Sequence, residues 1–425
     1  MGSKKAAAAI YGIVTASSVA ISLANLAGSL RILDLTSSTL YLSVSVTLYN
    51  LAYTLMSWGW TFIFFGRVSR RGIIVISFGG IAAGLTLMAL GQDVAVVILG
   101  TALVGLFSAV VSPLLTTILT DFIGWDAAAV NRYNIFSSIG LAVGYLLGVF
   151  LRPYVGTDTI LALTAATVAT TIPLAFLIPY KYVAIEPRRV TYVSLIPQFT
   201  GKLRPLPSIL FSPEIIYNLR RLIIDFQRII KDKLVRRLPL TLVATGALFL
   251  GISVFFTPLP AFLRNVGFRD EELYLIYMYS TVVSTLSYMA VHKHVRKASH
   301  AWKPLIIAVS SRIPIFMLPT ILLYHSTLKA LAVAIIGTVF TLVGVSWAYI
   351  STSLPTIILS MSETERRAER LGHMNAAVGV GTILGSLIAG IAYQAGGYLG
   401  VFTTSAGFIA VATALYLKAW KALVT

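Results

Sequence analysis

The sequence predicts an all-α polytopic membrane protein with twelve transmembrane helices arranged as two pseudo-symmetric six-helix bundles. Three observations support this prediction. Of 425 residues, 57% are hydrophobic and only 11% are charged, the apolar residues fall into twelve long runs, and the basic residues collect on one side of those runs. A water-soluble chain carries roughly 25% charged residues, so the composition disfavours a large water-soluble enzyme. The chain has no Cys, which excludes disulfides, thiolate metal sites and cysteine nucleophiles.

Each of the twelve runs is long enough to cross about 30 Å of hydrocarbon, which takes about 20 residues of helix. The first run follows Met1-Gly-Ser-Lys-Lys and lacks the cleavage site of a signal peptide, so we expect it to remain as the first membrane helix. The runs cover residues 7–29, 40–65, 73–91, 94–119, 134–151, 159–180, 239–263, 273–291, 303–323, 329–359, 374–393 and 398–417.

The basic residues predict the orientation of these segments. If the segments alternate and the N-terminus lies inside, 27 of the 33 Lys and Arg are inside and five are outside, with Lys303 and Lys329 at the segment ends counted with the loops; Arg312 alone falls in the interior of a segment. This bias predicts an N-in, C-in topology. The net charge of +18 could also indicate a nucleic-acid partner, but the basic residues are scattered among short inner loops rather than gathered on one module. We therefore expect no nucleic-acid binding.

One long connection divides the chain into a first bundle, 1–180, a central cytoplasmic loop, 181–238, and a second bundle, 239–425. An amphipathic helix is predicted at about 212–235, because Ser212-Pro213-Glu214 supplies an N-cap and a Pro at the first helical position. Its basic face fits the anionic inner leaflet of the bilayer. Docking of a regulatory partner is the alternative role for this helix.

The two halves contain an internal repeat on their fifth helices. Three residues of the first half recur in the second half at a constant offset of 241. Small residues at every fourth position let helix backbones approach closely in lipid, so helices 5 and 11 are expected to be close-packed. The matching residues are Asn134, Gly140 and Gly144 with Asn375, Gly381 and Gly385.

With this 6+6 plan, the chain resembles the major facilitator superfamily of secondary transporters over essentially its full length. Where that family shows Gly-x-x-x-Asp-Arg-x-Gly-Arg-Arg between helices 2 and 3, this sequence has Arg67, Arg70 and Arg71 but Gly66 in place of Asp. The resemblance implies a cytoplasmic gate at these arginines, with Asp121 and Arg132 on the next inner loop.

On helix 5, a glycine series resembles the antiporter motif of the family, but Tyr145 stands where Pro is expected. Antiport is therefore not implied. The resemblance and the spacing together assign helix packing to Gly140, Gly144, Gly148, Gly381 and Gly385.

All 15 Asp and Glu lie outside the predicted segments. Because intramembrane carboxylates are the usual proton relays of transporters, a buried-carboxylate relay is not expected. Arg312 lies about ten residues, or about 15 Å, into its segment, and is a candidate counter-charge for an anionic solute. Alternatively, Pro314 frees the carbonyl of Ser310, which would give the guanidinium a structural partner.

In the family, helices 1, 4, 7 and 10 line the cavity with help from helices 2, 5, 8 and 11. Polar residues on these helices are candidates for contacts with the solute or for bridges between helices. Together with Arg312, the cavity candidates are Ser18, Ser22, Asn25, Tyr49, Asn50, Tyr53, Ser108, Ser112, Tyr277, Ser284, Ser346 and Trp347.

We therefore expect a permease of the cell membrane that moves a small neutral or anionic organic solute by alternating access. It would act as a monomer, without cofactor or metal. A non-transporting solute sensor that signals through the central loop is one alternative. A membrane-embedded enzyme is another, although no cluster of His or carboxylate at membrane depth supplies its chemistry.

Overall fold

The computed structural model of the protein is all-helical, as the sequence predicts. Within the residues that the structure describes, the regular elements are helices and there is no β-strand. Helices satisfy every backbone hydrogen bond within one segment, which is what an apolar chain in lipid requires. The described residues are 2–64, 69–123, 127–177, 237–295, 301–324, 329–361 and 367–424.

The first half of the chain forms six helices, each containing one of the predicted segments in its described part. A 3-10 turn, Ile172–Leu177, continues the sixth helix. The helices are α1 (Gly2–Thr36), α2 (Thr39–Phe64), α3 (Arg70–Leu90), α4 (Val94–Ile123), α5 (Ala127–Leu151) and α6 (Thr157–Thr171).

The second half repeats this plan. A short helix, Leu259–Asn265, follows the helix Arg237–Phe256, and a 3-10 turn, Leu318–Leu323, continues the helix Trp302–Met317. The last helical stretch, Arg367–Val424, is interrupted at Gly396 and at Gly397, whose φ is 58°, a backbone conformation that glycine adopts readily. We call its two parts α11 (367–395) and α12 (398–424). The preceding helices are α7 (Arg237–Phe256), α8 (Asp270–His294), α9 (Trp302–Met317) and α10 (Lys329–Ser360).

Eight helical stretches within the described ranges are long and apolar enough to cross a membrane. One of them, Gly372–Lys421, contains both of the last two predicted segments. The helix α8 is not among the eight, and it starts with three acids, Asp270, Glu271 and Glu272. The total of twelve spans and the N-in, C-in orientation therefore stay predictions.

The glycines of the internal repeat lie at equivalent helix contacts in the two halves. A Cβ atom on Gly144 of α5 would lie 2.5 Å from the carbonyl oxygen of Val19 in α1. A Cβ atom on Gly385 of α11 would collide in the same way with the carbonyl oxygen of Leu250 in α7. The pairs α1–α5 and α7–α11 are thus packed at the backbone, and any side chain larger than hydrogen would separate them.

Most of the contact between the halves comes from two pairs of helices, α2 with α11 and α5 with α8. In the first pair, a Cβ atom on Gly390 would lie 3.0 Å from the Cβ of Ser43, near the start of α2. In the second, Gly148 accommodates the ring of Tyr274, whose side chain is fully buried. Both contacts lie toward the end of the bundle where α1 ends and α8 begins. The boundaries at 180 and 239 stay predictions, and the predicted helix at 212–235 lies outside the described residues.

Candidate functional site

A cavity of about 330 Å³ lies between the two halves, which we call the amide cavity. Four predicted residues line it: Asn25 of α1, Tyr49 and Asn50 of α2, and Tyr277 of α8. The phenol oxygen of Tyr49 lies 3.4 Å from Ser108 Oγ. The wall is mostly apolar with a few amide and hydroxyl groups, which is typical of a site for an organic ligand.

A second cavity of about 260 Å³ adjoins the first, and we call it the arginine cavity. Three predicted residues line it, Ser284 of α8, Arg312 of α9 and Trp347 of α10. The two cavities share Ile252 and Phe256 of α7 as lining residues. Polar groups from both halves therefore surround two adjoining cavities, which share a wall formed by α7.

The side chain of Arg312 is buried, with 1% of its surface exposed. Its Nε donates a hydrogen bond of 3.0 Å to Ser346 Oγ, and not to the freed carbonyl of Ser310 that was the predicted structural partner. Within the described part of the chain, Nη1 and Nη2 have no hydrogen-bond partner. The guanidinium carbon lies 5.7 Å from the ring centre of Phe316 and 5.9 Å from that of Trp347, distances at which a cation is attracted to an aromatic ring.

Beyond the amide cavity lies a group of four charged residues, two from each half, which we call the ion cluster. It consists of Asp34 in α1, Arg152 after α5, Arg264 in the short helix and Asp270 at the start of α8. Asp34 follows the lining residue Ile32 by two positions, about 3 Å along the helix. The ion cluster therefore joins the halves directly beyond one end of the cavity.

The ion cluster is closely hydrogen-bonded. Arg152 Nη2 lies 2.6 Å and Nε 2.8 Å from Asp270 Oδ2, while Arg264 Nε lies 2.7 Å from Asp270 Oδ1. Arg264 also donates to Asp34 Oδ1 at 2.8 Å, across the boundary between the halves. Thr157 donates to the other oxygen of Asp34 at 2.8 Å. Charge-assisted hydrogen bonds of this kind are roughly twice as strong as neutral ones.

The surroundings of Asp270 alter its ionisation. Burial by itself raises the pKa of this carboxyl group, but the hydrogen bonds and charges of Arg264 and Arg152 outweigh it and hold the pKa below its usual value. Two more of the outer acids are paired: Lys329 Nζ lies 2.7 Å from Glu272 Oε1, and Arg269 Nε lies 3.2 Å from Glu271 Oε1. Arg31 donates to the carbonyl of Gly91 at the end of α3. Of the five basic residues predicted to lie outside, four are therefore in ion pairs and Arg31 is hydrogen-bonded to a backbone carbonyl.

Comparison with known proteins decides the family. A model of the Major Facilitator Superfamily matches residues 6–369, which is most of the chain. The chain belongs to the Major Facilitator Superfamily. It is therefore a multi-pass membrane transporter and not an enzyme. A search of curated protein sequences finds no match.

Solved structures of superfamily transporters have the same fold. The nucleoside transporter NupG is 14% identical with a TM-score of 0.69, over 98% of this chain and 99% of that chain. A bacterial homologue of the human lysosomal transporter Spinster, in an inward-facing and unoccupied conformation, is 15% identical with a TM-score of 0.66, over 98% and 97%. The human organic anion transporter MFSD10 is 14% identical with a TM-score of 0.64, over 97% and 99%. At these identities the likeness shows the fold alone.

Several residues predicted to line the cavity of this superfamily member do not line either cavity. Ser18 and Ser22 are buried between α1 and α5, where Ser18 Oγ lies 2.9 Å from Ser137 Oγ and Ser22 packs against Gly144. In this structure Ser18 and Ser22 therefore pack between helices instead of lining a cavity, because small hydroxyl residues also fit a close helix contact.

The other cavity candidates lie behind the lining residues. Tyr53 stacks on Tyr49 with ring centres 6.1 Å apart. Ser108 donates to the carbonyl of Gly105, and Ser346 is buried behind Arg312. The side chain of Ser112 lies outside the described residues.

The predicted cytoplasmic gate of the superfamily falls mostly outside the described side chains. Arg71 is described, and its guanidinium carbon lies 5.6 Å from the ring centre of Phe176. The backbone of Arg67 and the side chains of Arg70, Asp121 and Arg132 are outside the described part. The gate therefore stays a prediction from the resemblance.

The sequence analysis missed other lining residues and the ion cluster. Tyr145 of α5 and Thr382 of α11 line the amide cavity, and the ring of Tyr145 lies 5.7 Å from that of Tyr277 across the two halves. In the sequence, the available signal for Tyr145 was that it replaces the expected Pro of the antiporter motif. For the ion cluster the signal was weaker, because the near balance of six acids and five bases on the predicted outer side indicates pairing without indicating partners.

Proposed function

We propose that this transporter moves a small neutral or anionic organic solute by alternating access. The observation that carries the proposal is the pair of adjoining cavities, lined from both halves and bounded at one end by the ion cluster. A site enclosed between two bundles is what a rocking mechanism needs, because relative movement of the bundles exposes the same site to each side in turn. The contacts Arg152–Asp270 and Arg264–Asp34 support a conformation that is closed at the end of the bundle where the ion cluster lies.

The lining residues support a solute that is not a cation. Asn25, Asn50, Tyr49 and Tyr277 offer amide and phenol groups, and Arg312 offers a positive charge. Every Asp and Glu of the sequence falls outside the predicted segments, and no Asp or Glu is among the lining residues of the two cavities. A cation would find no opposite charge there. Transport would accordingly use no buried carboxylate as a proton relay.

The membrane setting of this mechanism is also a proposal. The inside excess of Lys and Arg supports an N-in, C-in orientation in the cell membrane, with the ion cluster on the outer side. The basic central loop, 181–238, would rest on the anionic inner leaflet. The internal symmetry of the two halves supports a monomer as the working unit, because one chain supplies both sides of the site.

Uptake by proteoliposomes tests the proposal. The probes are radiolabelled gluconate and hippurate as anions, sorbitol and hippuramide as their neutral counterparts, and choline as a cation. We expect uptake of an anionic or neutral probe above that of protein-free liposomes, and none of choline. Selective uptake of choline, or uptake that requires a pH gradient, would contradict the proposal. Deletion of 211–235 should leave uptake intact, whereas a sensor that signals through this segment would show no uptake in either protein.

A further inference from the structure

We propose that Arg312 binds the carboxylate of a small organic monoanion, and that the arginine cavity is the site for this group. The inference rests on the proposed transport function and narrows it from neutral or anionic solutes to carboxylates. It is carried by the unpaired guanidinium nitrogens, by the cavity into which Arg312 is built, and by the groups on the rest of the cavity wall.

The charge of Arg312 has no counter-charge within the described residues. Only 1% of the side chain is exposed, and no ion pair to it occurs in the described ranges. An arginine does not lose its proton in a protein, and a buried charge is costly unless it is paired. An arriving anion would remove this cost, so the site favours an anionic ligand over a neutral one of the same shape.

The surroundings of Arg312 hold the guanidinium in place and leave two of its nitrogens without a hydrogen-bond partner in the described part of the chain. The bond from Nε to Ser346 Oγ and the rings of Phe316 and Trp347 restrict how the planar group can turn. Nη1 and Nη2 remain without hydrogen-bond partners in the described part of the chain. Two parallel N–H donors match the two oxygens of a carboxylate. Among the lining residues of the two cavities, Arg312 is the one basic side chain, so the wall offers a positive charge to one carboxylate.

The rest of the cavity wall indicates what else the solute carries. The hydroxyl of Thr281 donates to the carbonyl of Tyr277, and that of Ser284 donates to the carbonyl of Thr281, at 2.9 and 3.0 Å. Ser280 donates to the carbonyl of Phe340 at 3.3 Å. These hydrogens are engaged, so the three hydroxyl groups can offer a ligand only their acceptor lone pairs. The matching solute has hydroxyl or amide N–H donors next to its carboxylate.

Ligand-induced thermal stabilisation of the purified protein tests this site, because a ligand raises stability according to its occupancy. Gluconate and hippurate each carry one carboxylate with hydroxyl or N–H donors. Sorbitol and hippuramide are their neutral counterparts, and sodium chloride keeps the ionic strength constant. We expect at least one of the two anions to raise the Tm of the wild-type protein in a saturable way, and neither neutral counterpart to do so.

Variants of Arg312 show whether the effect arises at this residue. Arg312→Met removes the charge at similar length and should weaken anion binding about tenfold or more. Arg312→Lys keeps the charge but loses the paired donors and should bind with intermediate affinity. The matched control is Arg31→Gln, which removes a partly buried arginine that contacts the carbonyl of Gly91 and should retain full anion binding. If Arg312→Met does not fold, Arg312→Lys provides the test, together with the anion-dependent quenching of tryptophan fluorescence that should be lost in Trp347→Phe.

The outcomes separate the site from the transport function. Stabilisation by neither anion, equal stabilisation by the neutral counterparts, or undiminished binding in Arg312→Met would overturn the assignment of the carboxylate site. If gluconate or hippurate binds at Arg312 but is not taken up by proteoliposomes, the site stands and the proposed transport of that anion fails. If sorbitol is taken up while neither anion binds, transport stands and the carboxylate site fails.

Discussion

Arg152 Nη2 lies 2.6 Å from Asp270 Oδ2, so a residue that follows α5 in the first half pairs with the first residue of α8 in the second half. Asp270 also receives two hydrogen bonds from Arg264. One carboxylate thereby holds two arginines, one of which reaches Asp34 across the boundary between the halves. Removal of Asp270 is therefore the change that most directly weakens this end of the interface.

Asp270→Asn should lower the stability of the conformation seen here by about 2 kcal/mol. This value lies below the 3–5 kcal/mol typical of a fully buried pair, because the two arginines remain partly accessible to water. The measurements are the apparent Tm in detergent and the labelling of Ser29→Cys in the amide cavity by a membrane-impermeant maleimide. Labelling should be faster in Asp270→Asn, because the outer end opens more often.

The control for this variant is Glu271→Gln. Glu271 pairs with Arg269, whose side chain is 71% exposed, and exposed pairs contribute at most about 1 kcal/mol. Its Tm and labelling should remain close to those of the wild type. Equal behaviour of Asp270→Asn and Glu271→Gln would show that the ion cluster does not hold the halves together.

The lowered pKa of Asp270 predicts an acid-dependent loss of stability. A carboxyl group whose pKa is lower in the folded state contributes stability above its unfolded pKa of about 4, and loses this contribution as the pH falls through the folded value. As the pH falls below about 4, the Tm of the wild type should therefore decrease more steeply than the Tm of Asp270→Asn. Parallel curves from pH 7 to pH 3 would contradict this assignment, since Glu272 titrates in both proteins.

Gly144→Ala should destabilise the first half of the chain. The added methyl group would meet Ser22 Oγ and the carbonyl of Val19, and overpacking of this kind costs about 1–3 kcal/mol. The matched control is Gly337→Ala in α10, where no atom lies within 4 Å of the added Cβ. Alanine favours a helix over glycine by roughly 1 kcal/mol, so the control should be unchanged or more stable. A Tm of Gly144→Ala equal to that of Gly337→Ala would contradict the close α1–α5 contact.

Much of the fold could be predicted because lipid offers the backbone no hydrogen-bond partners. Long apolar runs must be helical to satisfy their own hydrogen bonds, and each predicted run lies on a helix in its described part. The repeat of Gly140 and Gly144 as Gly381 and Gly385 predicted close packing, but not the partners α1 and α7. Partners depend on how helices assemble, which the sequence of one helix does not determine.

The candidate site could be predicted only in part. Asn25, Tyr49, Asn50, Tyr277, Ser284, Arg312 and Trp347 line the two cavities. Ser18 and Ser22 lie on the packed face of α1, because a small hydroxyl residue serves a helix contact as well as a cavity wall. The partner of Arg312 lies on α10, 34 positions away, and a pairing of this kind between helices has no local pattern that would predict it.

The most direct test of alternating access is a reversible cross-link between the halves. The chain has no Cys, so Ser43→Cys with Gly390→Cys would create its only thiols. The two Cβ atoms would lie 3.0 Å apart, and a relaxation of about 0.5 Å gives the separation that a disulfide requires. The measurement is proteoliposome uptake of gluconate, hippurate or sorbitol before and after oxidation. We expect oxidation to stop uptake and a reductant to restore it, with both single variants unaffected. Continued uptake at the wild-type rate with the cross-link fully formed would contradict the proposed movement of the two halves.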